Sequence, residues 1–267
     1  MPSSAAATVG LGAASLSAGF RLEPAVVNVP SPNRHGRDVN VLRHATDVTL
    51  ALSAGIGSGL ELTLVVPAGL YQRGAGIKGV THQAAPPIAA QALHDPRAGL
   101  GFELPRPLPW LEGKLRLELS LPLGSRDALT GGASVVTSPS VVWLAQAGGF
   151  FAGAELGVRL RRPQELYGSR LGSQAALLAG VGYELGRPRV AFTAEAYALP
   201  SLVRAARASY TPAEWLAGVR YTPAALPRLT LALSGGSGIP LSSREGDHVF
   251  AFGVPKLRTL LQLHWSR

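Results

Sequence analysis

The residue types that most often carry chemistry are few in this chain and widely spaced. The chain has six histidines, and no two of them have the spacing of a zinc site. They are His35, His44, His82, His94, His248 and His264. The chain has no cysteine, which excludes thiolate catalysis, disulfides and cysteine-ligated metals. Serine is abundant, but no nucleophile elbow or Ser/His/Asp spacing stands out. We therefore expect that the protein is not an enzyme and that it has neither a metal site nor a cofactor.

The more informative polar residues are single charges at alternate positions within apolar segments. In residues 114–121, four leucines alternate with Lys114, Arg116, Glu118 and Ser120. Because a β-strand sends successive side chains to opposite faces, this segment has one apolar face and one charged face. A soluble β-sandwich or barrel would turn the leucines inward, whereas a transmembrane barrel turns them to lipid and the charges to its lumen.

The composition favours the transmembrane alternative. Of 267 residues only 15% are charged, well below the roughly 25% of soluble domains, and the mean hydropathy is +0.19. No run of apolar residues is long enough for a transmembrane helix. The net charge of +9 would suit nucleic acid, but the arginines are spread singly, so no nucleic-acid partner is expected. The first residues lack the pattern of a signal peptide, and we expect a mature or trimmed form.

The period-two pattern recurs along the chain and predicts twelve strands, at 8–22, 47–54, 60–66, 94–104, 114–121, 134–147, 150–161, 170–185, 189–199, 210–222, 228–235 and 248–265. Short connections alternate with long ones, the short ones lying near 55–59, 105–113, 147–149, 186–188 and 223–227. Short periplasmic turns and longer extracellular loops are typical of outer-membrane barrels, whereas a sandwich has no reason to segregate loop length. The predicted fold is an all-β, closed antiparallel transmembrane β-barrel of about 12 strands, formed by residues 1–267 as a single domain.

The positions opposite the apolar ones carry charges of both signs among glycines and alanines, which suits a confined interior. The predicted lumen-lining charges are Glu61, Arg97, Glu103, Lys114, Arg116, Glu118, Glu155, Arg159, Arg161, Glu184, Arg189, Glu195, Glu214, Arg220, Arg228, Lys256 and Arg258. Two roles remain open for them. Glu/Arg pairs could fill and plug the barrel, or a cationic excess could line a channel that favours anionic solutes.

Aromatic residues and loop cations complete the pattern. Most aromatic residues of the apolar faces lie near predicted strand ends, as in the girdles of membrane barrels: Tyr71, Phe102, Trp110, Phe150, Tyr183, Tyr221 and Trp265. Trp143, Phe192 and Trp215 are expected nearer the middle of their strands. The long connections carry cations that could bind lipopolysaccharide phosphates or simply keep the loops soluble: Arg34, Arg37, Arg73, Lys78, Arg126, Arg162, Arg204, Arg207 and Arg244.

Three segments resemble the N-terminal β-barrel of OmpA-family outer-membrane proteins of the myxobacterial and related δ-proteobacterial type. They are residues 94–100 (HDPRAGL), 212–221 (PAEWLAGVRY) and 252–265 (FGVPKLRTLLQLHW). The resemblance implies the outer membrane of a Gram-negative bacterium, contact with its lipid and lipopolysaccharide, and insertion by the barrel-assembly machinery, which would read the last strand with Trp265. Such barrels commonly continue into a periplasmic peptidoglycan-binding domain, which these residues do not include.

Three functions follow as hypotheses from the predicted fold. The first is a structural membrane anchor whose lumen is largely filled by Glu/Arg pairs. The second is an anion-leaning outer-membrane channel or transporter for small solutes on the same fold. The third is a soluble β-barrel or sandwich that binds a ligand in a cavity.

Overall fold

The computed structural model describes residues 13–29, 37–76, 88–125, 131–132, 134–166, 169–186, 189–202, 211–239 and 254–266. Its strands are β1 Ala13–Val29, β2 Arg37–Gly55, β3 Leu60–Arg73, β4 Ala92–Leu93, β5 Arg97–Glu103, β6 Leu111–Ser120, β7 Val136–Ala147, β8 Phe150–Arg159, β9 Gln164–Leu166, β10 Ser169–Leu171, β11 Gln174–Leu185, β12 Arg189–Ala198, β13 Ala213–Thr222, β14 Leu229–Gly238 and β15 Leu257–Ser266. Among the described residues, no helix is long and apolar enough to cross a membrane.

Twelve of these strands close into one antiparallel barrel. The sheet runs from β2 through β1 to β15, continues in reverse chain order to β3, and is completed by pairing of β2 with β3. The first and last strands pair from Ala13 with Ser266 to Leu22 with Leu257. The short β4 extends the edge of β3, while β9 and β10 form a separate hairpin outside the barrel. The predicted closed twelve-stranded fold is confirmed.

The barrel wall has an apolar outer face and a charged inner face, as a membrane protein requires. On β6, Leu115, Leu117 and Leu119 are 38–45% exposed on the outer surface. The intervening Lys114 and Glu118 side chains are only 16% and 15% exposed on the inner face. A water-soluble barrel would bury the leucines and expose the charges. An outer surface covered with leucine on strand after strand is instead suited to lipid.

The short connections lie together at one end of the barrel, which we call the short-turn end. Gly57, Ser58 and Gly59 all have positive φ (92°, 52° and 76°) in the turn between β2 and β3. Glycine adopts this left-handed conformation without steric penalty, and it allows the strands to reverse over few residues. Gly148 (φ 60°) does the same between β7 and β8. The long connections lie at the opposite end, the long-loop end.

The first hairpin is longer than the sequence pattern predicted. We expected a polar connection over residues 23–45, but β1 continues to Val29 and β2 begins at Arg37. The register shifts between Leu22 and Ala25, where Glu23 has a φ of 49° and Pro24 is buried. This is a β-bulge, which accommodates a proline without a missing ladder hydrogen bond. The strand predicted to end at Leu22 therefore continues past Pro24.

Aromatic side chains surround the outer surface near both ends of the strands. At the short-turn end these are Phe102, Phe150, Tyr183, Tyr221 and Trp265, each 40–53% exposed. Trp215 was predicted in mid-strand, but β13 begins only at Ala213, so it lies near the long-loop end. Its indole N–H donates to Ser237 Oγ (3.1 Å), which satisfies a donor that lipid could not.

Candidate lumen site

Ion pairs cover much of the inner face of the barrel. Arg220 on β13 lies 3.2 Å from Glu195 on β12, and Arg97 on β5 lies 3.1 Å from Glu118 on β6. Lys114 on β6 pairs with Glu61 on β3 across Gly101 of the intervening β5. Because glycine has no side chain, it leaves the space through which this pair passes over β5.

The most enclosed charge is Glu214 at the long-loop end of β13. Its side chain is 3% exposed, and Arg258 on β15 donates to its Oε2 (2.9 Å). The Tyr197 hydroxyl on β12 donates to its Oε1. Both carboxylate oxygens are therefore satisfied, as a buried charge requires. This cluster of three side chains ties β12, β13 and β15 together.

A second cluster joins the first strands of the barrel. Arg21 on β1 contacts Asp47 on β2 through Nη2 (2.6 Å) and donates through Nε (2.8 Å). His94, just before β5, lies 3.4 Å from the other Asp47 oxygen. His94, predicted as the first residue of a strand, is half-buried against this carboxylate.

Three arginines on the inner face of β5, β6 and β8 lie around the single carboxylate of Glu118. Glu118 Oε1 is bound by Arg97 (3.1 Å) and Glu118 Oε2 by Arg116 (3.0 Å). Arg159, the last residue of β8, lies within electrostatic reach of Arg97, Glu118 and Tyr197. Within the described ranges Arg159 makes no ion pair or hydrogen bond. Two guanidinium groups thus contact this carboxylate, and the third, that of Arg159, lies near it without contact.

Phe151 packs against a glycine, Gly182, on the inner face near the short-turn end. A Cβ placed on Gly182 would lie 2.2 Å from Phe151 Cζ and 2.8 Å from the Phe192 carbonyl oxygen. The guanidinium of Arg220 stacks on the same ring, 5.8 Å from its centroid. Gly182 therefore creates the space for the aromatic ring, and the ring in turn supports one partner of the Arg220–Glu195 pair.

A Gly182→Ala variant should lose about 1–3 kcal/mol of unfolding free energy, because the added methyl group must displace the Phe151 ring. Urea unfolding of the barrel in lipid vesicles would measure the loss. The control is Gly153→Ala on β8, whose Cβ would meet its nearest neighbour at 3.6 Å, an ordinary contact. Equal stability of the two variants would contradict a tight packing role for Gly182.

Several predicted lumen charges lie at the ends of strands or beyond them. Arg228 lies in the turn before β14, and Lys256, 71% exposed, precedes β15 and faces Glu23 at 3.8 Å. Glu184 and Arg189 are exposed at the short-turn end, 3.7 Å apart, and Glu103 is exposed at the end of β5. The sequence pattern misplaced Arg228 and Lys256 because it extended their strands by one residue or more.

Two further predicted inner residues, Arg161 and Glu155, differ in their contacts. Arg161 follows β8, where its Nε donates to the Gly172 carbonyl oxygen (2.8 Å) and its Nη2 to Gln174 Oε1 (2.9 Å). Glu155 lies on the inner side of β8, two positions from Gly157 and four from Arg159. It makes no ion pair with any described residue.

Sequence inspection missed three inner residues, Arg21, Asp47 and Tyr197. The signal for them was present, since Arg21 alternates with Phe20 and Leu22 in the same way as the charges on β6 alternate with leucines. Tyr197 stands at a polar position opposite the apolar alanines of β12. A search restricted to charged residues in mid-strand could not find the tyrosine.

Only part of the predicted lipopolysaccharide-facing set lies within the described residues. Arg73 at the end of β3 and Arg162 after β8 are exposed at the long-loop end, and Arg37 begins β2. The remaining cations lie outside the described ranges: Arg34, Lys78, Arg126, Arg204, Arg207 and Arg244.

Comparison with known proteins identifies the fold. No protein-family model matches the chain, and no curated protein matches it. The COG4313 outer membrane channel from Pseudomonas putida F1 is similar in structure, with a TM-score of 0.66, 12% identity, and coverage of 99% of this chain and 98% of that chain. The NanC porin gives a TM-score of 0.57 at 9% identity, covering 95% of this chain and 98% of that chain. The chain therefore has an outer-membrane β-barrel fold. Membership of the OmpA family stays a prediction.

Proposed function

We propose that this protein is a narrow outer-membrane channel for small polar solutes, located in a Gram-negative bacterium. The observation that carries the proposal is the direction of its inner ion pairs. Arg220–Glu195 joins adjacent strands, while Lys114–Glu61 and Arg258–Glu214 each span a single intervening strand. Such pairs lie along the wall of the barrel, whereas a plug made of side chains would join opposite walls.

The exposure of the inner charges also supports an open passage. The side chains of Arg220, Glu195 and Arg116 are 28%, 27% and 26% exposed although they lie on the inner face. A small cavity on this wall has Thr193, Glu195, Leu216, Arg220, Ser234 and Gln262 among its lining residues. Charged walls beside water-accessible space favour the passage of hydrated polar solutes. The two similar structures with TM-scores above 0.5 are a channel and a porin, which is consistent with this function.

The folded protein should produce discrete current steps in a planar lipid bilayer bathed in molar KCl. With twelve strands, the conductance should be well below that of open 16–18-stranded porins. A Ser234→Trp variant places an indole on the cavity wall and should reduce the conductance about twofold or more. The matched control is Leu261→Trp, a lipid-facing residue of the neighbouring β15 that does not line the cavity, which should conduct as the wild type does.

A structural anchor is the second candidate function, and the enclosed Tyr197–Glu214–Arg258 cluster favours it. The same bilayer experiment separates the two functions. If folded wild-type protein, verified by heat-modifiable gel migration, gave no current steps, the channel would be excluded and the anchor favoured. On either function, the exposed Arg73 and Arg162 are suited to contact lipopolysaccharide phosphates.

A further inference from the structure

We propose that Arg159, together with Arg97 and Arg116, forms a binding site on the channel wall for small solutes that carry a carboxylate. The three arginines lie on β8, β5 and β6, toward the long-loop end of β8 and β5. The inference rests on the proposed channel function, since it names the solutes for which that channel would be selective.

The first observation is that each oxygen of the Glu118 carboxylate already contacts an arginine other than Arg159. Its Oε1 lies 3.1 Å from Arg97 Nη1, and its Oε2 lies 3.0 Å from Arg116 Nη2. One negative charge therefore compensates two guanidinium groups.

The second observation concerns the groups around Arg159. Its partner across the ladder is Gln174 on β11, but that amide is already engaged. Gln174 Oε1 accepts from Arg161 (2.9 Å), and Gln174 Nε2 donates to the Leu199 carbonyl oxygen (3.2 Å). The Tyr197 hydroxyl donates to Glu214. In the part of the chain that the structure describes, Arg159 has no such partner of its own.

An unpaired guanidinium close to other cations favours an external anion. Arg159 lies two strands from Glu118 at the same level of the wall, because Glu118 pairs with Ser138 on β7 and Ser140 on β7 pairs with Gly157. This register brings Arg159 within electrostatic reach of Glu118 and of Arg97. Repulsion between like charges in a confined interior is costly, and an oxyanion placed among them would relieve it.

The guanidinium geometry indicates the class of solute. Arginine offers a planar set of N–H donors that binds a carboxylate through two parallel hydrogen bonds. Glu118 shows that a carboxylate already fits between Arg97 and Arg116 on this wall. A solute carboxylate at Arg159 would repeat that arrangement next to it.

The test combines calorimetric binding with bilayer recordings, using glucuronate as the carboxylate probe and inorganic phosphate for comparison. Wild-type protein should bind glucuronate, pass chloride in preference to potassium, and lose chloride current when glucuronate is added. Arg159→Gln should weaken glucuronate binding about tenfold and bring the chloride preference close to unity. Arg159→Lys should retain the chloride preference but bind glucuronate weakly, because lysine keeps the charge without the planar donors.

The control is the double variant Glu195→Gln/Arg220→Gln, which removes a neutral ion pair from another part of the wall. It should bind glucuronate as the wild type does. If the wild type conducts but Arg159→Gln leaves both binding and selectivity unchanged, the site is overturned while the channel stands. Arg159-dependent glucuronate binding without any conductance would overturn the channel but not the site. Tighter binding of phosphate than of glucuronate would overturn the assignment to carboxylates.

Discussion

A Leu117→Arg variant should fail to assemble into a folded barrel in lipid vesicles. Leu117 lies in the middle of β6 on the outer surface, where it is 41% exposed. An arginine on the lipid face of a membrane barrel costs about 2–4 kcal/mol near the bilayer midplane, a large fraction of the stability of a protein. Vesicle flotation together with heat-modifiable gel migration would measure both insertion and folding.

The matched control for Leu117 is Leu226→Arg in the turn between β13 and β14. Leu226 is 49% exposed, close to the 41% of Leu117, so the two substitutions remove a similar amount of packing within the protein. In water the two variants would behave alike, because arginine at an exposed site is nearly neutral. Only a lipid environment around Leu117 separates them. Normal insertion of both variants would show that the outer surface does not face a membrane.

A Glu214→Gln variant should lose about 3–5 kcal/mol of unfolding free energy, because it leaves Arg258 charged, enclosed and without its partner. The Arg258 and Glu214 side chains are 14% and 3% exposed. Urea unfolding in vesicles can be followed by tryptophan fluorescence, to which Trp215, the neighbour of Glu214 in the chain, contributes. The control is Glu184→Gln, whose side chain is 45% exposed beside Arg189 and should change stability by less than about 1 kcal/mol.

A double variant, Glu214→Leu/Arg258→Met, tests the cause of this loss. Replacement of both charges by apolar side chains removes the uncompensated cation, and such replacements are often neutral or stabilising. The double variant should therefore be clearly more stable than Glu214→Gln. If it were equally unstable, the loss would arise from the hydrogen bond of Tyr197 rather than from the charge on Arg258.

The barrel was predictable from the sequence because its determinant is local. Each strand carries its own alternation of apolar and polar residues, and residues 114–121 alone define an outer and an inner face. The alternation of short and long connections then distinguished a membrane barrel from a sandwich. Neither inference needs to know which residues touch across strands.

The pairings within the lumen were not predictable, because they depend on register between strands. Nothing local to Glu61 or Lys114 indicates that they meet across Gly101. The same holds for Glu214 and Arg258, which lie on strands separated by β14. Strand limits were a second obstacle, since the bulge at Pro24 concealed the continuation of β1 beyond the inner residue Arg21.

The pairing of β1 with β15 makes the order of assembly significant. Ala13 and Ser266 are neighbours in space but come from opposite ends of the described chain. Closing a loop of that length costs about 5 kcal/mol of chain entropy, and contacts between distant residues slow folding. Until that last contact forms, β1 and β15 each present a row of unpaired backbone groups, which can pair with another chain. The incomplete barrel, rather than the finished one, is therefore the form in which this protein is most exposed to aggregation.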